Sequence, residues 1–379
     1  MNSLYFDHAA TTRPHASVVA SVLETLEENY ANPSSLHRAG LRAERTVEEA
    51  RHGIAAALFC EEEELVFTSG GTEANYLALA GVLKPGDRVL TTPLEHASIR
   101  VALESLSDAG IIFEQIPVTA GGHVDEKELE LRLQSPVRLV SLQQVNNETG
   151  VIQDLEALVR RIHRVDRNIL VHSDGIQGFG KFVSPLRKIP LDLYSVSAHK
   201  IGGLKGTGAL YIRKNTPFRP VIKGGGQEGG RRGGTQNVPG IAAFGRAVRE
   251  WEEHREEWTT HVLRLRKRLL EGLAAIPDTR VHSEPGGSPF VLSVGFKDCR
   301  GEVLLHMLEQ KGLSVSTGSA CAKGAVSRVL QELKIDENYA QGTVRISLGH
   351  DNTEASVDLL VQELAAGAAM IRKMTRRKR

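Results

Sequence analysis

A lysine ending the tetrad Ser197-Ala198-His199-Lys200 has the setting needed to hold a carbonyl compound covalently. The tetrad closes a run of short apolar segments and opens into a glycine-rich return, Ile201-Gly202-Gly203-Leu204-Lys205-Gly206-Thr207-Gly208. A primary amine on a loop just past a strand can form a Schiff base while the neighbouring hydroxyl and imidazole hold a phosphate. A second element, Asp174-Gly175-Ile176-Gln177, follows the apolar stretch Ile169-Leu170-Val171-His172-Ser173. A carboxylate at a strand end can pair with a protonated pyridine nitrogen, the contact that keeps such a ring an electron sink. Lys200 and Asp174 thus ask for the same cofactor, pyridoxal 5'-phosphate.

Other residues suit the same chemistry, each with a plainer reading beside it. Ser69-Gly70-Gly71-Thr72-Glu73 follows a strand and opens a helix, so its backbone N–H groups and the Thr72 hydroxyl make an anion site, or Thr72 is simply an N-cap. His96, at the end of the next strand, offers a flat imidazole that could stack on a ring and trade protons, or cap a helix. Asn146-Asn147-Glu148-Thr149-Gly150 ends another strand and could place an amide near the cofactor's phenolic oxygen. Cys321 lies among small and polar residues (Ser316-Thr317-Gly318-Ser319-Ala320-Cys321-Ala322-Lys323-Gly324), the surroundings of an accessible thiol. Cys60 ends an apolar run and reads as a core filler, and Cys299 has no evident role. Arg345 alternates with apolar neighbours on a strand, where a substrate carboxylate or a structural ion pair would offset its burial.

These residues need a scaffold that brings strand ends together. Strands are predicted at 65–68, 88–91, 112–116, 138–143, 169–172, 191–196 and 209–212. Helical patterns lie between several of them, at 73–82, 97–109, 125–134 and 154–165. That alternation implies an α/β layer with a mostly parallel sheet whose strand ends share one crevice. Only twelve glycine-rich residues separate 196 from 209, too few for a crossover helix, so that pair is expected to be antiparallel and the sheet mixed. Gly224-x-Gly226-x-x-Gly229 spells a dinucleotide fingerprint, but no helix can begin within so much glycine, and the match is a false positive. The cluster itself reads as too flexible for a core element. Apolar spacing from Ile241 to Leu269 marks a long helix of the kind that links two units. Beyond it, segments at 290–294, 302–310, 313–316, 344–347 and 354–372 make a smaller α/β unit, followed by a frayed, solvated basic tail.

Composition removes several classes. The chain has 379 residues with a net charge of +1, which favours neither nucleic acid nor an acidic partner. Three cysteines without a C-x-x-C pair, and fourteen histidines without ligand spacing, suggest neither a disulfide framework nor a metal site. No segment reaches membrane-spanning length and the start lacks a signal pattern, so the expected compartment is the cytoplasm.

Taken together the motifs resemble the cysteine desulfurases of the NifS/IscS type, pyridoxal-phosphate enzymes of fold type I. The resemblance runs from Tyr5-Phe6-Asp7-His8-Ala9-Ala10-Thr11-Thr12 and Asn32-Pro33-Ser34-Ser35-Leu36-His37 to Val344-Arg345-Ile346-Ser347-Leu348-Gly349. It implies an α/β fold with a large cofactor-binding domain at 16–256, built on a mixed, mostly parallel sheet. A smaller α/β domain would combine 1–15 with 257–379 and carry the loop of Cys321. By this resemblance Lys200 bears the cofactor, His96 stacks on its ring, Asp174 pairs with the pyridinium, and Gln177 and Asn147 address its oxygen. Gly71, Thr72, Ser197 and His199 would hold the phosphate, with Thr235 supplied by the partner subunit of a homodimer. Arg345 would hold the carboxylate of L-cysteine. Cys321 would take its sulfur as a persulfide, leaving L-alanine, and hand it to a sulfur-acceptor protein serving iron–sulfur-cluster, thio-cofactor or tRNA biosynthesis. Two departures touch loop reach and docking: the segment after Cys321 lacks the usual Glu-Pro-Ser, and Gly229 stands where an arginine is common. A selenocysteine lyase, an aminotransferase or another lyase of this fold would share Lys200 and Asp174.

Overall fold

The computed structural model describes residues 4–317 and 326–378. In chain order the first elements are β1 (Leu4–Tyr5), α1 (Ala16–Glu28), α2 (Arg38–Leu58), β2 (Leu65–Thr68), α3 (Gly71–Ala80), β3 (Arg88–Thr91), α4 (Ala97–Ser107) and β4 (Ile112–Gln115). There follow α5 (Glu126–Arg132), β5 (Leu139–Gln143), α6 (Leu155–Val165), β6 (Leu170–Asp174), β7 (Leu193–Ser197), β8 (Gly208–Ile212) and α7 (Val238–Ala274). The rest are β9 (Thr279–Val281), β10 (Val291–Phe296), α8 (Gly301–Glu309), β11 (Leu313–Ser314), α9 (Arg328–Glu332), α10 (Glu337–Ala340), β12 (Thr343–Ser347) and α11 (Glu354–Lys378).

Seven strands form the central sheet in the order β2-β8-β7-β6-β5-β3-β4. Its ladders are parallel except those of β8, which runs antiparallel to both β7 and β2. The sheet is thus mixed and mostly parallel, as the short glycine-rich return before β8 demands. Its inner strands are apolar on both faces, as a sheet covered on both sides must be. Val140, Val171, Tyr194, Val196 and Tyr211 face the layer that contains α2, α6 and α7. Leu139, Leu170, Leu193, Leu210 and Ile212 face α3 and α4. Local sequence explains the covering helices. In α6, Leu155, Leu158, Val159 and Ile162 recur on one face and are buried, and the Asp154 carboxylate caps the start by accepting the Ala157 N–H at 3.0 Å.

A second sheet, β12-β10-β9, is antiparallel, and β1 pairs in parallel with β11 beside it. The first residues of the chain therefore lie with the last third. The 37-residue α7 packs along α1 and α2 and then against α11, spanning the distance between the two sheets. Among the described residues no helix is long and apolar enough to cross a membrane.

Two expectations need correction. The basic terminus does not fray after residue 372, because α11 continues as helix to Lys378. Nor is the glycine cluster free. Its Glu228 is buried and accepts hydrogen bonds from the Arg51 guanidinium (3.0 and 3.1 Å), the Phe67 N–H (2.9 Å) and Gln236 (2.5 Å). Arg232 pairs with Glu73 on α3 at 2.8 Å. Side chains between the glycines anchor this backbone.

Candidate active site

Strands β3, β5, β6 and β7 run parallel, so their C-terminal ends lie on one edge and open onto a cavity of about 420 Å³. Asp174 ends β6 beside Gln143 of β5 and Ser195 of β7. Ser197 ends β7, and a single tight turn, Ala198–Lys200, carries Lys200 over the cavity. The turn after β2 leads into α3, where Gly70 (φ 148°) takes the N-cap position. Thr72 is therefore not the cap, and it lines the cavity instead. Gly71 brings its backbone close to the Ile176 side chain, which a Cβ there, 2.1 Å from Cδ1, would force aside. His96 caps α4, its Nδ1 accepting the Ser98 N–H at 3.1 Å, and it also lines the cavity.

Hydrogen bonds hold these groups in place. The Asp174 carboxylate accepts the Ile176 N–H at 3.0 Å and Asn75 Nδ2 at 2.8 Å. Asn75 Nδ2 also donates to Ser98 Oγ at 2.8 Å, and that hydroxyl lies 2.8 Å from His96 Nδ1. A chain of polar contacts thus joins the two groups expected to face the ring. Burial pushes the His96 imidazole below its ordinary pKa, favouring a neutral ring, although the Asp174 charge opposes this. Lys200 Nζ donates to the Ala9 and Ala10 carbonyls at 2.6 and 2.7 Å, and burial with the Arg345 charge pushes its pKa down to about 8. Burial and the neighbouring lysines likewise take His199 down to about 4.

Gln177 lines the cavity, but its Nε2 donates to the Ala9 carbonyl at 2.8 Å. Asn147 lines the cavity as well, and the Asn146 side chain forms its turn by accepting the Glu148 and Thr149 N–H groups. Arg345, on β12, reaches the same space. It pairs with Asp7 at 2.7 Å and donates to the Asn147 carbonyl at 3.0 Å, so an ion pair and cavity access coexist at this residue.

Thr235 is exposed and does not line the cavity of its own chain. Cys321 lies outside the described residues. The flanks of its segment are at the cavity: Ser316 bridges to Arg345, the Ser327 hydroxyl donates to the Glu148 carboxylate, and Arg328 lines the wall.

Sequence reasoning missed Asn75 and Glu95. Asn75 is the only fully buried polar residue of α3, one turn beyond Thr72. Glu95 lies beside His96 and lines the cavity. Its Oε1 accepts the Thr92 hydroxyl at 2.7 Å and the Gln143 N–H at 3.1 Å, and burial pushes its pKa up to about 8.

The residues present fit pyridoxal phosphate. The Ser197 hydroxyl is buried, has no hydrogen-bond partner among the described residues, and stands beside the Gly71 backbone at the start of α3, where a phosphate would satisfy it. A fixed carboxylate, a flat imidazole and an amine share the same space.

Comparisons with known proteins agree with this geometry. Residues 4–360 match the model of the aminotransferase class-V family. Cysteine desulfurase 2 of Trichormus variabilis is 38% identical over 96% of this chain and 92% of its own length. A cysteine desulfurase of Cereibacter sphaeroides is also 38% identical, over 96% of this chain and 95% of its own. Among solved structures, a NifS-like protein superposes with a TM-score of 0.91 at 36% identity, covering 97% of this chain and all of that one. Nearly end-to-end likeness, together with the converging strand ends, places this chain in the aminotransferase class-V family.

Proposed function

We propose that this chain is a cysteine desulfurase that removes the sulfur of L-cysteine, leaves L-alanine, and carries the sulfur as a persulfide on Cys321. The observation behind this reading is the meeting of Lys200, Asp174, His96 and Ser197 in one cavity of a chain whose relatives are cysteine desulfurases. Lys200 would hold pyridoxal phosphate covalently and Asp174 its ring nitrogen, with His96 against the ring and Gln177 and Asn147 at its oxygen. Gly71, Thr72, Ser197 and His199 would hold the phosphate. When bound, the cofactor supplies an electron-withdrawing ring that stabilises negative charge on the substrate carbon beside the amine.

The protein's own groups do the rest. An amine with a pKa near 8 is partly unprotonated at neutral pH, so Lys200 Nζ can take the substrate's α-proton and return a proton to carbon. The Arg345 guanidinium offers a planar two-point contact to the substrate carboxylate, and Asp7 fixes its orientation. At Cys321 the thiolate attacks the substrate sulfur. The S–S bond forms as the substrate's C–S bond breaks, and a proton completes alanine. A sulfur-acceptor protein then removes the outer sulfur.

The active form is a homodimer in which Thr235 completes the partner's phosphate site. The exposure of Thr235 and the anchoring of its loop through Glu228 and Arg232 support that reading. The enzyme works in the cytoplasm, where Cys321 stays reduced. Borohydride reduction followed by peptide mapping tests the core of the proposal. Pyridoxyl label should sit on Lys200, and persulfide on Cys321 after turnover without reductant. Label on another lysine, or sulfur confined to Cys60 or Cys299, would overturn it.

A further inference from the structure

A second cavity, of about 200 Å³, lies behind the active site under the Ile201–Gly202 turn. Its polar lining comes from Lys181, Arg13, Asp351 and the imidazoles of His8, His15 and His350. Lys181 is the unusual member. Only 5% of it is exposed, its Nζ has Gln177 Oε1 at 3.4 Å, and no carboxylate among the described residues pairs with it. Taking an ammonium out of water without a counter-ion is costly enough that buried charges are normally paired. Two imidazoles of the walls make contacts of poor geometry. His15 Nε2 is buried and makes no hydrogen bond of standard geometry, though the Ile201 carbonyl is nearby. His8 Nε2 is 3.3 Å from Asp351 Oδ1, also without hydrogen-bond alignment. Stacking holds the imidazole side in shape: His350 and His15 lie 4.1 and 5.2 Å from the Trp258 ring, and 5.0 Å from each other.

We propose that this cavity is a binding site for a small, singly charged inorganic anion of the halide type, held by Lys181 with the imidazole edges of His8 and His15. Arg13 and Asp351 are exposed to solvent, so the charge left to balance is that of the buried Lys181, and one ammonium calls for one negative charge. A water takes up about 30 Å³, so the volume leaves room for a halide with a few waters around it. Burial and the Lys200 charge lower the Lys181 pKa to about 7, and a bound anion would favour its charged form beside Gln177. Gln177 and Lys200 share the Ala9 carbonyl, so the bound anion would stiffen the floor of the catalytic cavity. The competing account is an uncharged Lys181 in a water-filled space. The proposal is independent of the reading of the activity.

Crystals of the holoenzyme soaked in sodium bromide decide between them. Anomalous scattering at the bromine edge should give a peak within hydrogen-bond reach of Lys181 Nζ, and an empty cavity at full soak overturns the proposal. In solution, exchanging gluconate for bromide at constant ionic strength should raise the unfolding midpoint saturably, as a ligand that binds only the folded state does. Lys181→Met should remove the saturable part, and an equal rise in that variant counts against the site. The wild-type crystal stands as a test even if Lys181→Met folds poorly.

Discussion

The two walls of the catalytic cavity are built differently. One is the edge of the seven-stranded sheet, where Asp174 and Ser197 end strands that are buried throughout and laddered to neighbours on both sides. The facing wall is assembled from remote pieces: the Ala9–Ala10 backbone, Arg345 on β12, and Arg328 after the Cys321 segment. Arg345 is itself laddered, on β12, to β10 on one side only, and two-residue strands, single bridges such as Asp7 to Ser347 and Ser316 to Arg345, and the Arg345–Asp7 pair join that edge strand to the other pieces. A ladder fixes side chains with many cooperative bonds, whereas isolated bridges fix them with one or two. The sheet edge thus suits groups that must not move, those for the cofactor, and the assembled wall suits those that receive substrate and pass on sulfur.

If that division is right, losses on the two walls should differ in kind. Lys200→Ala and Cys321→Ser should each lower alanine production by more than about a thousandfold, as removal of a reacting group commonly does. Only Lys200→Ala should also abolish the cofactor's absorbance after dialysis and borohydride treatment. A Cys321→Ser protein without bound cofactor would break the division.

Within the assembled wall, Arg345→Lys should raise the half-saturating cysteine concentration by about ten- to a hundredfold, since an ammonium cannot copy a two-point carboxylate contact. Its cofactor spectrum should match the wild type. Asp7→Asn should shift the same constant less, because it leaves the guanidinium in place and loosens only its aim. An unchanged half-saturation in Arg345→Lys would make Arg345 a purely structural partner of Asp7.

The same contrast explains what was legible in the sequence. Strand ends announce themselves locally, by an apolar run that stops at a polar residue, and so Asp174, Ser197, Lys200 and the antiparallel return before β8 could all be read. Contacts between distant segments leave no periodic trace. Nothing near Glu228 signals that Arg51, 177 positions earlier, will bury its carboxylate. The cluster therefore read as loose backbone when it is anchored. Glycine content spoke louder than the one acid among the glycines. Asn75 did leave a signal, a lone amide on the apolar face of α3, but helical spacing alone could not say that Asp174 would be its partner. The tail misled in the opposite sense: its charges suggested fraying, while Ile371 and the apolar face of α11 carry the helix onward.

On the sheet side, Asn75→Ala should weaken cofactor binding by about tenfold. One hydrogen bond to a charged group contributes about 1.5–3 kcal/mol, and the change removes the bond to Asp174 together with the link through Ser98 to His96. Apoenzyme titration with pyridoxal phosphate measures it. Equal affinity in the variant would show that the Ile176 N–H alone suffices to orient the carboxylate.

At Glu95 the expected effect leaves the chemistry alone and shows as a pH dependence of stability. Its folded pKa, about 8, lies above the ordinary value of 4.5 because the carboxyl is buried. Between those values the folded chain keeps a proton that the unfolded chain has released, so stability falls as pH rises through the window, and the full penalty is present above its upper limit. Glu95→Gln has no proton to lose, and its carbonyl oxygen can still accept from Thr92 and Gln143. The variant and the wild type should unfold at similar temperatures at pH 5, and by pH 9 the variant should be the more stable by a few kcal/mol at most. Other titrating groups act equally on both proteins, so the difference isolates Glu95. Glu95→Leu should be destabilised at both pH values, because it leaves the Gln143 N–H buried without an acceptor. If the gap between Glu95→Gln and the wild type stays constant from pH 5 to pH 9, Glu95 is ionised in the folded chain. Glu95 would then add negative charge to the cavity that Asp174 lines.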